Sequence, residues 1–159
     1  MMNPKLDLVL IAIVVLILLL LTGHQVEART TEVEQIIHDK STQYNLNPDL
    51  MVAIARTESG LNPKAVGDLG EIGVFQLRPE FHDVRRGDVE HNIETAIKYL
   101  ADIRRKWEPV YGDAWFIKFN LGPNYRELNH PKLFPYYIKV MSNMNSGFSV
   151  ASHKTSGEF

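Results

Sequence analysis

Glu58 lies just past the apolar run Met51-Val52-Ala53-Ile54-Ala55 and is followed at once by Ser59-Gly60. A helix started by Asn47-Pro48-Asp49 puts Ile54 and Met51 one and two turns behind Glu58 on its own face, so the acid points where the helix is buried. A carboxyl group in apolar surroundings resists ionising and keeps its proton towards neutral pH, as a general acid must. On spacing alone, a solvated glutamate near a helix end is the competing reading, set against the rarity of buried carboxylates that are neither paired nor functional.

The residues after Glu58 separate these readings. From Ser59 to Pro79 the chain runs Ser-Gly-Leu-Asn-Pro-Lys-Ala-Val-Gly-Asp-Leu-Gly-Glu-Ile-Gly-Val-Phe-Gln-Leu-Arg-Pro. Gly60 can end the helix in the left-handed conformation, and Asn62-Pro63 forces an extended turn. Gly67, Gly70 and Gly73 allow backbone to come close to a ligand. No Gly-Lys-Ser/Thr ending marks a phosphate loop, and no strand precedes the glycines as a dinucleotide fingerprint needs.

This string resembles the lytic transglycosylases of the soluble lytic transglycosylase type, which have a lysozyme-like fold. Their motif reads Glu-Ser-x-x-Asn-Pro, then Gly-x-x-Gly-(Leu/Val)-(Met/Phe)-Gln-(Leu/Ile)-x-Pro. It is met by Glu58, Ser59, Asn62, Pro63, Gly70, Gly73, Val74, Phe75, Gln76, Leu77 and Pro79. Asn92-Ile93 with Tyr99-Leu100 is similar to a second family motif, with Ala96 in place of a glycine. Phe119-Asn120-Leu121-Gly122-Pro123 is similar to a third, Tyr-Asn-Ala-Gly-Pro. Three motifs in order, from about Ile36 to about Tyr125, are far more specific than one.

The resemblance implies one carboxyl group used twice. Glu58 would protonate the glycosidic oxygen between N-acetylmuramic acid and N-acetylglucosamine, then take the proton of the C6 hydroxyl as it closes a 1,6-anhydro ring. Gln76 and Asn120 would hold sugar amides and hydroxyls, Ser59 would orient the loop or the acid, and Arg78 and Phe119 would touch substrate. Two departures bear on this. The family tyrosine whose hydroxyl lies beside the acid falls at Phe119, so that hydrogen bond is expected to be missing unless another group supplies it. Arg78 stands where many members carry methionine. Two alternatives stay open. A lysozyme-like muramidase would need a second carboxylate, for which Asp68, Glu71 and Asp83 are candidates. An inactive, membrane-tethered glycan-binding or assembly protein would have kept the fold without the reaction.

These residues need helices to hold them. Thr31 to Tyr44 is amphipathic through Val33, Ile36, Ile37 and Tyr44, and Asn47 caps the next helix with Pro48 in its first turn. Asn92 to Trp107 carries Ile93, Ala96, Ile97, Leu100, Ile103 and Trp107 at helical spacing. Asp113 is expected to cap a helix ending near Asn120, and Phe134 to Met144 reads as a last helix. The fold class expected is mainly α (α+β lysozyme-like), with at most a small sheet near the glycine-rich loop. The catalytic domain would span 31–144, after a linker at 24–30 and before a polar tail at 145–159 expected to be disordered.

Residues 1–23 form the remaining segment. Every residue from Leu8 to Leu21 is apolar, and as a helix Leu6 to Gly23 reaches about 27 Å against a hydrocarbon core of about 30 Å. Val26-Glu27-Ala28 has the small-x-small form of a signal-peptidase site, so a transmembrane anchor and a cleaved signal peptide both stand, and either exports the domain to the periplasmic or outer side. With no cysteine in 159 residues, disulfides and thiolate chemistry are excluded. A net charge of −2 argues against nucleic acid. No His-Glu-x-x-His pattern suggests a metal, and no cofactor is expected. The partners expected are peptidoglycan glycan strands and a lipid bilayer, with secretion-apparatus or virion proteins as further candidates.

Overall fold

A computed structural model describes residues 4–122 and 129–154. The chain divides into two compact units, 1–32 and 33–159. Five α-helices follow in order among the described residues: α1 Pro4–Gln43, α2 Pro48–Ser59, α3 Val89–Tyr111, α4 Ile117–Leu121 and α5 Pro135–Lys154. Single 3-10 turns at Gly112–Ala114 and Pro131–Leu133 precede α4 and α5. The fold is mainly helical. In place of a small sheet, the described residues hold two isolated antiparallel bridges, Val66 to Ile72 and Ile72 to Leu77.

In the first unit, the large apolar side chains from Ile11 to Leu21 are exposed. Among the described residues no helix is long and apolar enough to cross a membrane. The expected linker at 24–30 lies inside α1, because nothing from His24 to Thr30 is a glycine or proline that would break it.

In the second unit the helices close on one core. Asn47 caps α2, its Oδ1 accepting from the backbone N–H of Asp49 at 2.9 Å and Leu50 at 3.3 Å. Met51, Ala53, Ile54 and Ala55 are buried, and Gly60 ends the helix at φ 65°, its N–H donating to the Arg56 carbonyl. Asp88 caps α3, which buries Ile93, Ala96, Ile97, Leu100 and Ile103 and leaves Trp107 half-buried. The side chains of α1 that enter this core are Val33 and Ile37.

Helix α5 packs on the C-terminal half of α2 through one face. Val140 is fully buried there, Lys139 Nζ donates to the Thr57 carbonyl at 3.2 Å, and Asn143 Nδ2 donates to Thr57 Oγ1 at 2.9 Å. Thr57 in turn donates to the Ala53 carbonyl at 2.8 Å. The helix continues to Lys154, past the expected end at Met144. No proline interrupts 145–154, so polarity alone does not stop a helix already nucleated on α2. Residues 155–159 of the expected tail lie outside the described residues.

Around Asn120 the expected element is broken in two. Asp113 makes no side-chain cap; it lies in the 3-10 turn and pairs with Lys132 Nζ at 2.8 Å. Pro123 and Tyr125 lie outside the described residues. Buried Lys118 sets its ammonium 4.0 Å from the centroid of the Trp107 ring, which joins α4 to α3.

Candidate active site

The C-terminal end of α2 opens into a cleft of about 740 Å³. Its lining includes Glu58, Glu71, Gln76, Arg78, Phe81, His82, Tyr99, Phe119 and Asn120. Of the residues singled out in the sequence, Glu58, Gln76, Arg78, Phe119 and Asn120 therefore share one space. Ser59 does not line it. Its hydroxyl donates to the Val74 carbonyl at 2.8 Å and accepts from the Asn62 N–H at 3.1 Å, fastening the glycine-rich loop to the end of α2.

Glu58 accepts a hydrogen bond from the Tyr136 hydroxyl at 2.5 Å. Burial pushes its carboxyl above the ordinary carboxylate range and is the largest influence. The Tyr136 hydroxyl and the Lys139 ammonium oppose that shift, while the Glu71 carboxylate adds to it. Tyr136 is itself buried, and desolvation together with the neighbouring Glu58 holds its hydroxyl protonated well beyond the usual phenol range. The donor expected to be missing at position 119 thus comes from α5. Sequence inspection missed Tyr136, and the available signal was slight: one tyrosine of the pair Tyr136-Tyr137, one residue inside the last helix.

Phe119 belongs to an aromatic wall. Its ring centroid lies 5.9 Å from that of Tyr99 and 6.4 Å from that of Phe75, and Tyr99 lies 4.6 Å from His82. Desolvation lowers the pKa of His82 and raises that of Tyr99, so the wall favours neutral groups. Such a surface suits the apolar face of a sugar ring.

The glycine-rich loop is shaped around two cleft side chains. A Cβ on Gly67 would sit 2.5 Å from Glu71 Oε2 and 2.8 Å from Gln76 Oε1, closer than atoms pack. A side chain there would push the ends of Glu71 and Gln76 aside. Glu71 Oε2 accepts from the Leu69 N–H at 3.0 Å, and Gln76 Nε2 donates to the Gly73 carbonyl at 2.8 Å. Gln76 adopts φ 48°, uncommon for a residue with a Cβ, as residues at functional sites sometimes do. Of the three second-carboxylate candidates, Glu71 faces the cleft. Asp68 is not among its lining residues, and Asp83 pairs with Arg85 at 3.2 Å and His91 at 3.3 Å.

Asn92 of the second motif works at a distance. Its Oδ1 accepts from the Arg85 N–H and its Nδ2 donates to the Arg85 carbonyl, both at 2.7 Å, so it clamps the loop after His82 onto α3. Among the described residues no group of three histidine or acidic side chains is arranged to hold a metal ion.

Comparison with known proteins finds a family and one relative. A family model described as the transglycosylase SLT domain matches residues 35–124. A protein of Enterobacteria phage PRD1 named transglycosylase is 44% identical over 39 residues. That stretch is 24% of this chain and 15% of the phage protein. No solved structure matches.

Proposed function

The chain belongs to the transglycosylase SLT domain family, and from that premise we propose that it is a peptidoglycan lytic transglycosylase. It cleaves the β-1,4 bond between N-acetylmuramic acid and N-acetylglucosamine and leaves 1,6-anhydro ends. The observation that carries this is the half-buried Glu58 at the end of α2, partly desolvated, with a hydroxyl donor at 2.5 Å and a cleft in front of it.

Protonated Glu58 donates to the glycosidic oxygen as the bond to the anomeric carbon breaks, and the substrate's N-acetyl oxygen stabilises the positive charge left there. Glu58 is now a carboxylate held by Tyr136. It takes the proton of the C6 hydroxyl while the C6 oxygen bonds to the anomeric carbon. The proton is thereby restored and no water is consumed. Gln76 and Asn120 supply amide contacts, and the Tyr99–Phe119 wall takes sugar faces.

The muramidase alternative rests on Glu71, a second carboxylate in the same cleft. Mass analysis of products from purified cell wall decides between them. Anhydro ends, one water lighter than reducing ends, are expected from wild type and from E71Q alike. Reducing ends from wild type, lost in E71Q, would assign hydrolysis. The inactive-binder alternative leans on Phe119, and the Tyr136 hydroxyl donating to Glu58 counts against it.

We further propose that residues 1–23 export or anchor the domain, supported by the unbroken apolar run Leu8–Leu21 and the exposure of the side chains from Ile11 to Leu21. The phage relative makes virion-associated wall opening a setting to test, beside a secretion apparatus. Alkaline extraction of membranes from expressing cells tests the anchor; recovery of the full-length chain in the soluble fraction would overturn it.

A further inference from the structure

Arg78 is a cation in the cleft wall that the reaction above does not use. The turn that carries it is closed by the Phe81 and His82 N–H groups, which donate to the Arg78 carbonyl at 3.0 and 3.1 Å, and all three side chains line the cleft. The guanidinium carbon lies 5.0 Å from the centroid of the Phe81 ring. The acidic partner of Arg78 is Glu80, with 3.5 Å from Nε to the nearest carboxylate oxygen, and Nε is buried without a hydrogen bond. A guanidinium offers five donors in a planar fork that fits a carboxylate. Here the fork is braced by an aromatic ring, has Glu80 at 3.5 Å, and lines the same cleft as Glu58 and Glu71.

We propose that Arg78 forms a carboxylate subsite that reads the acidic branch of the muramic acid residue, so that this cleft distinguishes a muramyl glycan from a neutral N-acetylglucosamine polymer. The proposal rests on the transglycosylase reading and names a specificity for the same site. The carboxylate can come from two sources. In intact wall the lactyl group is amidated and the free carboxylates belong to the stem peptide, whereas removal of the peptide by an amidase frees the lactyl carboxylate itself. Methionine at position 78 keeps an unbranched apolar stem and loses the charge and the fork.

The test is a binding measurement that needs no turnover. E58Q and E58Q/R78M are titrated with three soluble probes: peptide-bearing glycan strands, the same strands stripped by amidase, and chitohexaose. A charge-assisted hydrogen bond predicts about a tenfold loss of affinity, on adding R78M, for the muramyl strands whose carboxylate it reads, with less than about a twofold change for chitohexaose. Adding R78K instead keeps a charge without the fork and should lose part of that affinity. A loss confined to the stripped strands assigns the lactyl carboxylate, a loss confined to the peptide-bearing strands assigns the stem peptide, and a loss on both but not on chitohexaose shows that either carboxylate serves. Equal losses on all three probes, or none on either muramyl probe, would overturn the proposal. If the wild-type chain cleaves no wall yet the affinity difference stands, the transglycosylase reading falls and the subsite survives.

Discussion

Replacing Tyr136 by Phe removes one oxygen and leaves the ring beside Phe116, 6.5 Å between centroids, in place. The lost hydroxyl donates to the Glu58 carboxylate at 2.5 Å. A hydrogen bond to a charged group contributes about 1.5–3 kcal/mol, equivalent to about 1–2 pKa units. The bond favours the ionised carboxylate, so its removal raises the Glu58 pKa beyond the value burial already gives it. Cleavage needs the protonated acid, and activity falls as pH rises through that pKa. The alkaline limb of the pH profile of kcat/KM should therefore move up by about 1–2 units in Y136F. The maximal rate should drop about tenfold, because the carboxylate loses the group that orients it. Turbidity clearing of purified walls across pH, run beside thermal melting, measures both. A Y136F profile that superimposes on wild type, or one that moves down, would refute the assignment of this hydroxyl as the tuning donor.

Glu58→Gln should abolish clearing while the fold survives, and its stability should depend on pH in a diagnostic way. The folded pKa of Glu58 lies above its ordinary value, so wild-type stability falls as pH rises from about 4.5 towards the folded pKa; Tm values should match in acid, with E58Q the more stable at neutral pH. A Tm gap that stays constant with pH would count against a desolvated acid. Gly67→Ala should lower kcat/KM about tenfold by displacing Glu71 and Gln76, while costing at most about 1 kcal/mol of stability since flexible side-chain ends move aside; an unchanged rate would mean that neither side chain needs its present position.

How much of this the sequence carried depended on how local the cause was. The cap at Asn47, the left-handed stop at Gly60 and the buried stripe of α3 follow from residues within a turn or two of each other, and the structure has them. The breaks near Asp113 and the continuation of α5 past Met144 were less legible. They depend on Lys132 reaching back to Asp113 and on α5 lying along α2, contacts between distant parts of the chain. In the cleft, the motif residues Glu58 and Gln76 stand where a linear reading groups them. Ser59 is turned to the loop, where its hydroxyl bonds the Val74 carbonyl and the Asn62 N–H. Tyr136 was invisible for a plainer reason: its partner is Glu58, 78 positions earlier, and no periodicity spans that distance.

That separation bears on the order in which the proposed active site is assembled. Synthesis proceeds from the N-terminus, so α2, the glycine-rich loop and the aromatic wall all leave the ribosome before the residue that tunes the acid. A fragment ending at residue 124, where the matched stretch ends, holds all the recognised motifs and lacks α5 altogether. It has an untuned carboxyl at the end of an uncovered helix, whose Thr57 and apolar neighbours would face water in place of Val140 and Asn143. On the proposed reading the tuned acid exists only once α5 is in place, and a chain cut off ahead of Pro135 would lose the Tyr136 donor while keeping Glu58.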